Sequence, residues 1–255
     1  ISYRAEGSTF DMGAGLGNNI MLEAISPVGG AQITWRGHLS SDWDVTTANW
    51  RLAGDVASIF NNADFVTFDN FGSNNSPINL VGDLTPATIN FNSTNNYEFG
   101  GAGKLTGLVI LTKTNTGKVT ITTDNDNSGA TLHRQGIIQI GTNGTSGLLS
   151  GNISMTTNST LIFNRSDAST FAGVISGPGT IINNSTNGTI SLTANSSFTG
   201  GILANAGTLQ FGDGTGVSGA VAGRVTNNAV VAYNFNNAVT IANSLSGTGL
   251  VNLIN

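Results

Sequence analysis

The stretch Gly188-Thr-Ile-Ser-Leu-Thr-Ala-Asn-Ser-Ser-Phe-Thr-Gly-Gly-Ile-Leu-Ala-Asn-Ala-Gly-Thr-Leu-Gln-Phe-Gly212 decides the fold, because a second copy of its pattern lies upstream. Gly117, Thr122, Gly129, Leu132, Gly136, Gln139 and Gly141 fall on Gly188, Thr193, Gly200, Leu203, Gly207, Gln210 and Gly212 at a constant offset of 71. Further on, Asn158–Ile181 falls on Asn228–Val251 at an offset of 70, with Ser176-Gly177-x-Gly179 on Ser246-Gly247-x-Gly249. Self-similarity at a fixed period marks a repeat architecture, in which each unit buries its apolar face against its neighbours. The chain therefore reads as a solenoid, and a repeated surface leaves less room for a unique catalytic pocket.

Within the units, Lys118-Val-Thr-Ile-Thr122, Thr160-Leu-Ile-Phe163, Thr189-Ile-Ser-Leu-Thr193 and Thr208-Leu-Gln-Phe211 alternate apolar with polar residues. Period-two alternation predicts strands with one buried face. Turns fall at Asn, Gly and Asp, which tolerate left-handed backbone. No helical periodicity follows residue 30, and a short helical turn is expected near Asn19–Ala24. A unit of this length accommodates about three coils. Stacked about 4.8 Å apart, residues 36–255 then make about ten coils and a rod about 45–50 Å long. The predicted fold class is all-β, a parallel β-helix with an irregular N-terminal cap. Residues 1–34 read as the cap or lead-in, 35–100 as Trp-containing first coils, and 101–255 as the repeat β-helix. The chain opens on Ile1 rather than Met and stops at Asn255 inside a predicted strand, so it reads as a piece of a longer protein.

Composition supports an all-β chain and excludes several functions. Only 9% of residues are charged, against roughly 25% in ordinary domains, so amides and hydroxyls carry the solubility. The net charge is −5 and the nine Lys and Arg are scattered, which argues against a nucleic-acid partner. No polybasic run addresses an anionic membrane. Cysteine is absent, which removes disulfides, thiol catalysis and cysteine metal sites. No apolar run reaches the length of a membrane-spanning helix.

The 188–212 stretch resembles the passenger-associated repeat of bacterial autotransporters. In that family a Gly-Thr-Leu-x-Leu strand leads to an Asn-x-Tyr/Phe-Thr-Gly-Gly turn and a second Gly-Thr-Leu strand ending in Gly. Here Asn195, Phe198, Thr199, Gly200, Gly201, Gly207, Thr208, Leu209 and Gly212 match. The copy at 117–141 is more degenerate. The stretch 34–50, with Phe65-Val-Thr-Phe-Asp69, resembles the segment that opens such repeat blocks. The resemblance covers most of the chain, from Thr34 onward. It implies a right-handed β-helix, secretion to the bacterial surface or medium, and a covalently linked outer-membrane β-barrel absent from this chain.

The residues that could carry chemistry each have a plainer reading. Asp124, Asp126 and Ser128, followed by Gly129, place oxygens as in the first half of a Ca²⁺ loop. The twelfth position is Gln135 rather than Glu, and an ordinary turn is the preferred reading. His38, Ser40, Ser41, Asp42 and Asp44 contain the residue types of a catalytic triad, but near neighbours in one strand rarely converge. His133 has no His or acidic residue within four positions, so a His metal site is not expected. Asp64, Asp69 and Asp83 are the carboxylates that a polysaccharide-degrading enzyme would need to bring together. Trp35, Trp43 and Trp50 are candidate sugar-stacking residues, with plugging of the open solenoid end as the preferred role. Asn164 and Asn234 are expected to form amide ladders at coil turns.

The sequence therefore predicts no catalytic residue, no enzyme activity and no cofactor. The expected function is that of an adhesin or host-interaction module working through an extended surface. Its partners would be host-cell or matrix proteins or glycans, with self-association as a further mode. A β-helix enzyme and a non-binding stalk are the alternatives.

Overall fold

The computed structural model describes residues 29–73, 77–215 and 223–254, apart from 237, 239 and 242. The helical turn expected near Asn19–Ala24 and most of the 1–34 lead-in lie outside the described residues. The described chain is all-β, without helix, and winds as parallel coils with three strand-bearing faces.

Alternation builds each strand. Ser159–Arg165 alternates buried and half-exposed residues along its full length. Thr180–Leu192 does so on both sides of a break at Thr186–Asn187, where both residues are exposed and Asn187 takes φ 63°. That left-handed residue turns the strand from the second face to the third.

The ladder on the second face sets the coil length. Ile78, Phe99, Ile121, Ile140, Phe163, Asn183, Ala204 and Asn227 are successive registered partners, each one coil beyond the last. The first face stacks Val66, Ile89, Leu111, Thr131, Ile153 and Ile175. The third stacks Phe171, Leu192, Phe211, Tyr233 and Leu253. The solenoid has about eight turns, which at about 4.8 Å each gives about 38 Å, against the about ten turns and about 45–50 Å expected.

The register also corrects the reading of the repeat. Three coils from Ile121, through Ile140 and Phe163, lead to Asn183 on the same face. The sequence copy of Ile121 is instead Leu192, at the offset of 71, and it lies on the third face. Likewise Thr160–Phe163 sits on the second face and its copy Val230–Tyr233 on the third. The repeat thus spans three coils plus one face. This is physically permitted because all three faces offer a strand the same environment, apolar inward and polar outward.

The first coil is different. Trp50–Leu52 pairs antiparallel with Thr34–Trp35, and Val56–Ser58 pairs antiparallel with Trp50–Leu52. Ala53-Gly54-Asp55 closes this hairpin, with φ 77° at Gly54 and 61° at Asp55. Beneath it one hydrophobic core runs from Ile33 to Tyr233.

Candidate functional site

The described residues bring no catalytic constellation together. Trp35, Trp43 and Trp50 are 0–1% exposed. Their rings stand edge to face, Trp35 and Trp50 at 5.1 Å and Trp43 and Trp50 at 5.2 Å, over Phe60, Phe68 and Phe99. Each ring is covered by other rings and offers no face to a sugar, so the stacking candidates are corrected to core residues.

Asp124, Asp126 and Ser128 point outward while Asn125, Asn127 and Gly129 are buried. Extended backbone spaces alternate residues about 7 Å apart, so their oxygens do not wrap a cation. The carboxylates serve different cations of the protein. Asp124 meets Arg165 at 3.3 Å, and Asp126 meets Lys104 at 2.5 Å. The Lys104 hydrogen bond holds Asp126 below the usual carboxylate range.

His38 contacts the Arg51 guanidinium at 2.9 Å through Nε2. Asn49, fully buried, accepts from the amides of Leu39 and Ser40 and donates to Ser40 Oγ and the Asp42 carbonyl. Asp42 accepts from Asn79, and Asp44 caps the turn at Thr46 and Thr47. The cluster is a fold-holding network. Asp64 and Asp69 flank the Phe65–Phe68 strand, about 16 Å apart at about 3.3 Å per residue. Asp64 is buried and accepts from the amides of Ala31 and Asn61, Asp69 pairs with Arg36 at 3.0 Å, and Asp83 lies on another face. They do not share a groove. The amide ladders join Asn92 to Asn115 and Asn184 to Asn205. Asn164 and Asn234 lie on different faces and do not stack.

Two features escaped sequence reasoning. Arg165, with its side chain 9% exposed, forks onto Asp167 at 2.9 and 2.8 Å. It also donates to the carbonyls of Gly147 and Thr145. It thereby closes the loop that follows the register shift between Ile140 and Gly144. Arg165→Met is expected to cost about 2–3 kcal/mol, since two carbonyls and two carboxylates lose their donor. Chemical denaturation checks this, with Lys104→Met as the exposed-pair control, expected to leave the midpoint nearly unmoved.

The second is a buried basic pair. Lys113 and His133 are registered neighbours on the inner side of the first face, 1% and 0% exposed. Lys113 donates to the carbonyls of Thr114, Asn115 and Gln135. His133 Nε2 bonds the Gly136 carbonyl at 3.0 Å, and Nδ1 is buried without a partner among the described residues. Burial pushes His133 down to about 4 and Lys113 down to about 8. Because the unfolded chain binds a proton at His133 near pH 6.5, stability falls as pH drops from about 6.5 to about 4, by roughly 2–3 kcal/mol. Lys113 acts in a separate window, raising stability as pH rises from about 8 to about 10.5. Denaturation midpoints across pH check the first window. His133→Gln should flatten the acid slope, and an unchanged slope would contradict the assignment.

A groove of about 400 Å³ lies on the outside of the first coil, lined by Gln32, Thr34, Arg36, Arg51, Thr67 and the hairpin turn Leu52–Asp55. Thr34 is registered with both Arg51 and Thr67, so the three form a row across adjacent strands. The row continues along the solenoid through Asn90 and Thr112. The groove lies where the antiparallel hairpin extends the edge of the first-face sheet.

Stacked parallel coils that carry the Gly188–Gly212 strand-turn-strand pattern fit the passenger domain of a bacterial autotransporter. One such protein is similar in sequence. Over 80 residues the chain is 41% identical to the adhesin BmaC autotransporter of Brucella suis biovar 1 (strain 1330). The match covers 31% of this chain and 2% of that protein, so it spans a small part of the relative's length. No family model matches the chain, and no solved structure matches it.

Proposed function

We propose that this chain is an adhesive segment of an autotransporter passenger, displayed at or released from the bacterial surface by an outer-membrane β-barrel elsewhere in the protein. The observation that carries the reading is the similarity to an autotransporter adhesin in a chain that folds as a continuous solenoid. A rod of stacked coils presents a long, weakly charged flank of Thr, Ser and Asn, suited to many shared hydrogen bonds with a host-cell or matrix partner, or with a second copy. Separation of Asp64, Asp69 and Asp83 supports binding over hydrolysis of a glycan.

Labelled 1–255 added to intact host cells and to immobilised matrix proteins tests the proposal. Saturable binding above that of an unrelated cysteine-free β-helix is expected. Binding no greater than the control on every surface would overturn it.

A further inference from the structure

We propose that the groove where the Trp50–Ser58 hairpin joins the first face is a binding subsite for an uncharged pyranose unit of a glycan. The proposal deepens the adhesive reading and rests on it. The groove's volume of about 400 Å³ lies within the range of small-ligand sites. Its polar groups are of the mixed kind that sugar hydroxyls require. The side chains of Gln32, Thr34 and Thr67 make no hydrogen bond among the described residues, so both donors and acceptors are open to a ligand. The two guanidiniums are already fixed. Arg36 is held by Asp69 at 3.0 Å and by the Trp35 carbonyl at 2.8 Å, both through one terminal nitrogen. Arg51 is held by Asp55 at 3.4 Å, by the Trp50 carbonyl and by His38. Two arginines beside two aspartates leave the site without net charge, so it offers oriented hydrogen bonds rather than attraction for an anion. That balance favours a neutral sugar over a sulfated or carboxylated one.

Apolar surface adjoins the groove at one end. Phe65 is registered beside the lining residue Gln32 and is 38% exposed. Its ring can cover the C–H face of a pyranose whose hydroxyls the groove holds. The row Thr67–Asn90–Thr112 then provides further contacts for the next units of a chain lying along the solenoid.

Saturation-transfer NMR of 1–255 with neutral, sialylated and sulfated oligosaccharides tests the subsite, using wild type and the double variant Thr34→Val/Thr67→Val. Both substitutions conserve shape on the outer face, and an unchanged Tm verifies the fold. The expected result is saturable binding of a neutral oligosaccharide, weakened at least tenfold in the variant. No binding of any neutral oligosaccharide, binding undiminished in the variant, or binding confined to sulfated chains and lost at high salt would each overturn it. Cell binding together with neutral-sugar binding that is undiminished in the variant would overturn the groove and spare the adhesive reading. Sugar binding without any cell binding would do the reverse.

Discussion

Gly200→Ala is expected to destabilise the solenoid by about 3–5 kcal/mol, whereas Gly201→Ala, one residue on, is expected to be neutral or slightly stabilising. The contrast follows from how closely the coils approach at this corner. A Cβ at Gly200 would lie 1.7 Å from the Gly179 carbonyl oxygen and 2.8 Å from the Phe198 ring. A backbone carbonyl, unlike the far end of a flexible side chain, cannot move aside without shifting the coil that carries it. Gly223 stacks on Gly200 in the same way, 2.1 Å from its carbonyl, so the corner is a column of close backbone contacts. At Gly201 a Cβ meets nothing within 4 Å. The Thr199-Gly200-Gly201 turn therefore contains one glycine compelled by packing and one that is not. Denaturation midpoints of the two variants decide it, and equal costs would contradict the coil spacing.

Trp43→Ala is expected to cost about 3–5 kcal/mol and Trp43→Phe distinctly less. Trp43 is fully buried, with Trp50, Phe60, Phe68 and Phe99 at 5.2 to 5.6 Å. Truncation to alanine opens a cavity at the end of the core, where no earlier coil closes over it among the described residues. The indole N–H, however, is buried without a partner among the described residues. Phenylalanine keeps most of the ring and discards a donor whose desolvation costs about 1–3 kcal/mol, which offsets part of the lost packing. Urea titration of the two variants checks the ordering. A Phe variant as damaged as the Ala variant would show that the N–H is satisfied.

Much of this fold is readable from parity. Thr189–Leu192 and Thr208–Phe211 alternate in the sequence because each strand has one inner and one outer side, and the structure buries Ile190, Leu192, Leu209 and Phe211 accordingly. Coil length is written more directly in the evenly spaced Gly129, Gly151 and Gly173, each of which would drive a Cβ into the carbonyl one coil before it. The stronger match at the offset of 71 obscured that spacing, since it marks three coils and one face. Parity with Leu111 also places Lys113 inward, but its charge argues for the surface. Only the three carbonyls around its ammonium group explain its burial. The candidate cation loop failed for a similar reason. Oxygens at alternate positions look alike in a loop and in an extended segment, and the choice depends on which cations neighbouring coils supply. The groove was invisible because it depends on an antiparallel hairpin inside a parallel fold, a pairing set by long-range contacts.

The groove, the glycine column and the inward basic pair all rest on the coil register, and paired cysteines test that register most directly. The chain has no cysteine, so two introduced thiols report only on each other. Ser191 and Gln210 are registered partners on the third face, and neighbouring strands lie within the Cα separation a disulfide accepts. Ser191→Cys/Gln210→Cys is expected to oxidise readily to an intramolecular disulfide. Ser191→Cys/Thr215→Cys, which would be adjacent if a third of the long repeat were one coil, is expected to remain reduced. Closure of the second pair in place of the first would contradict the solenoid described.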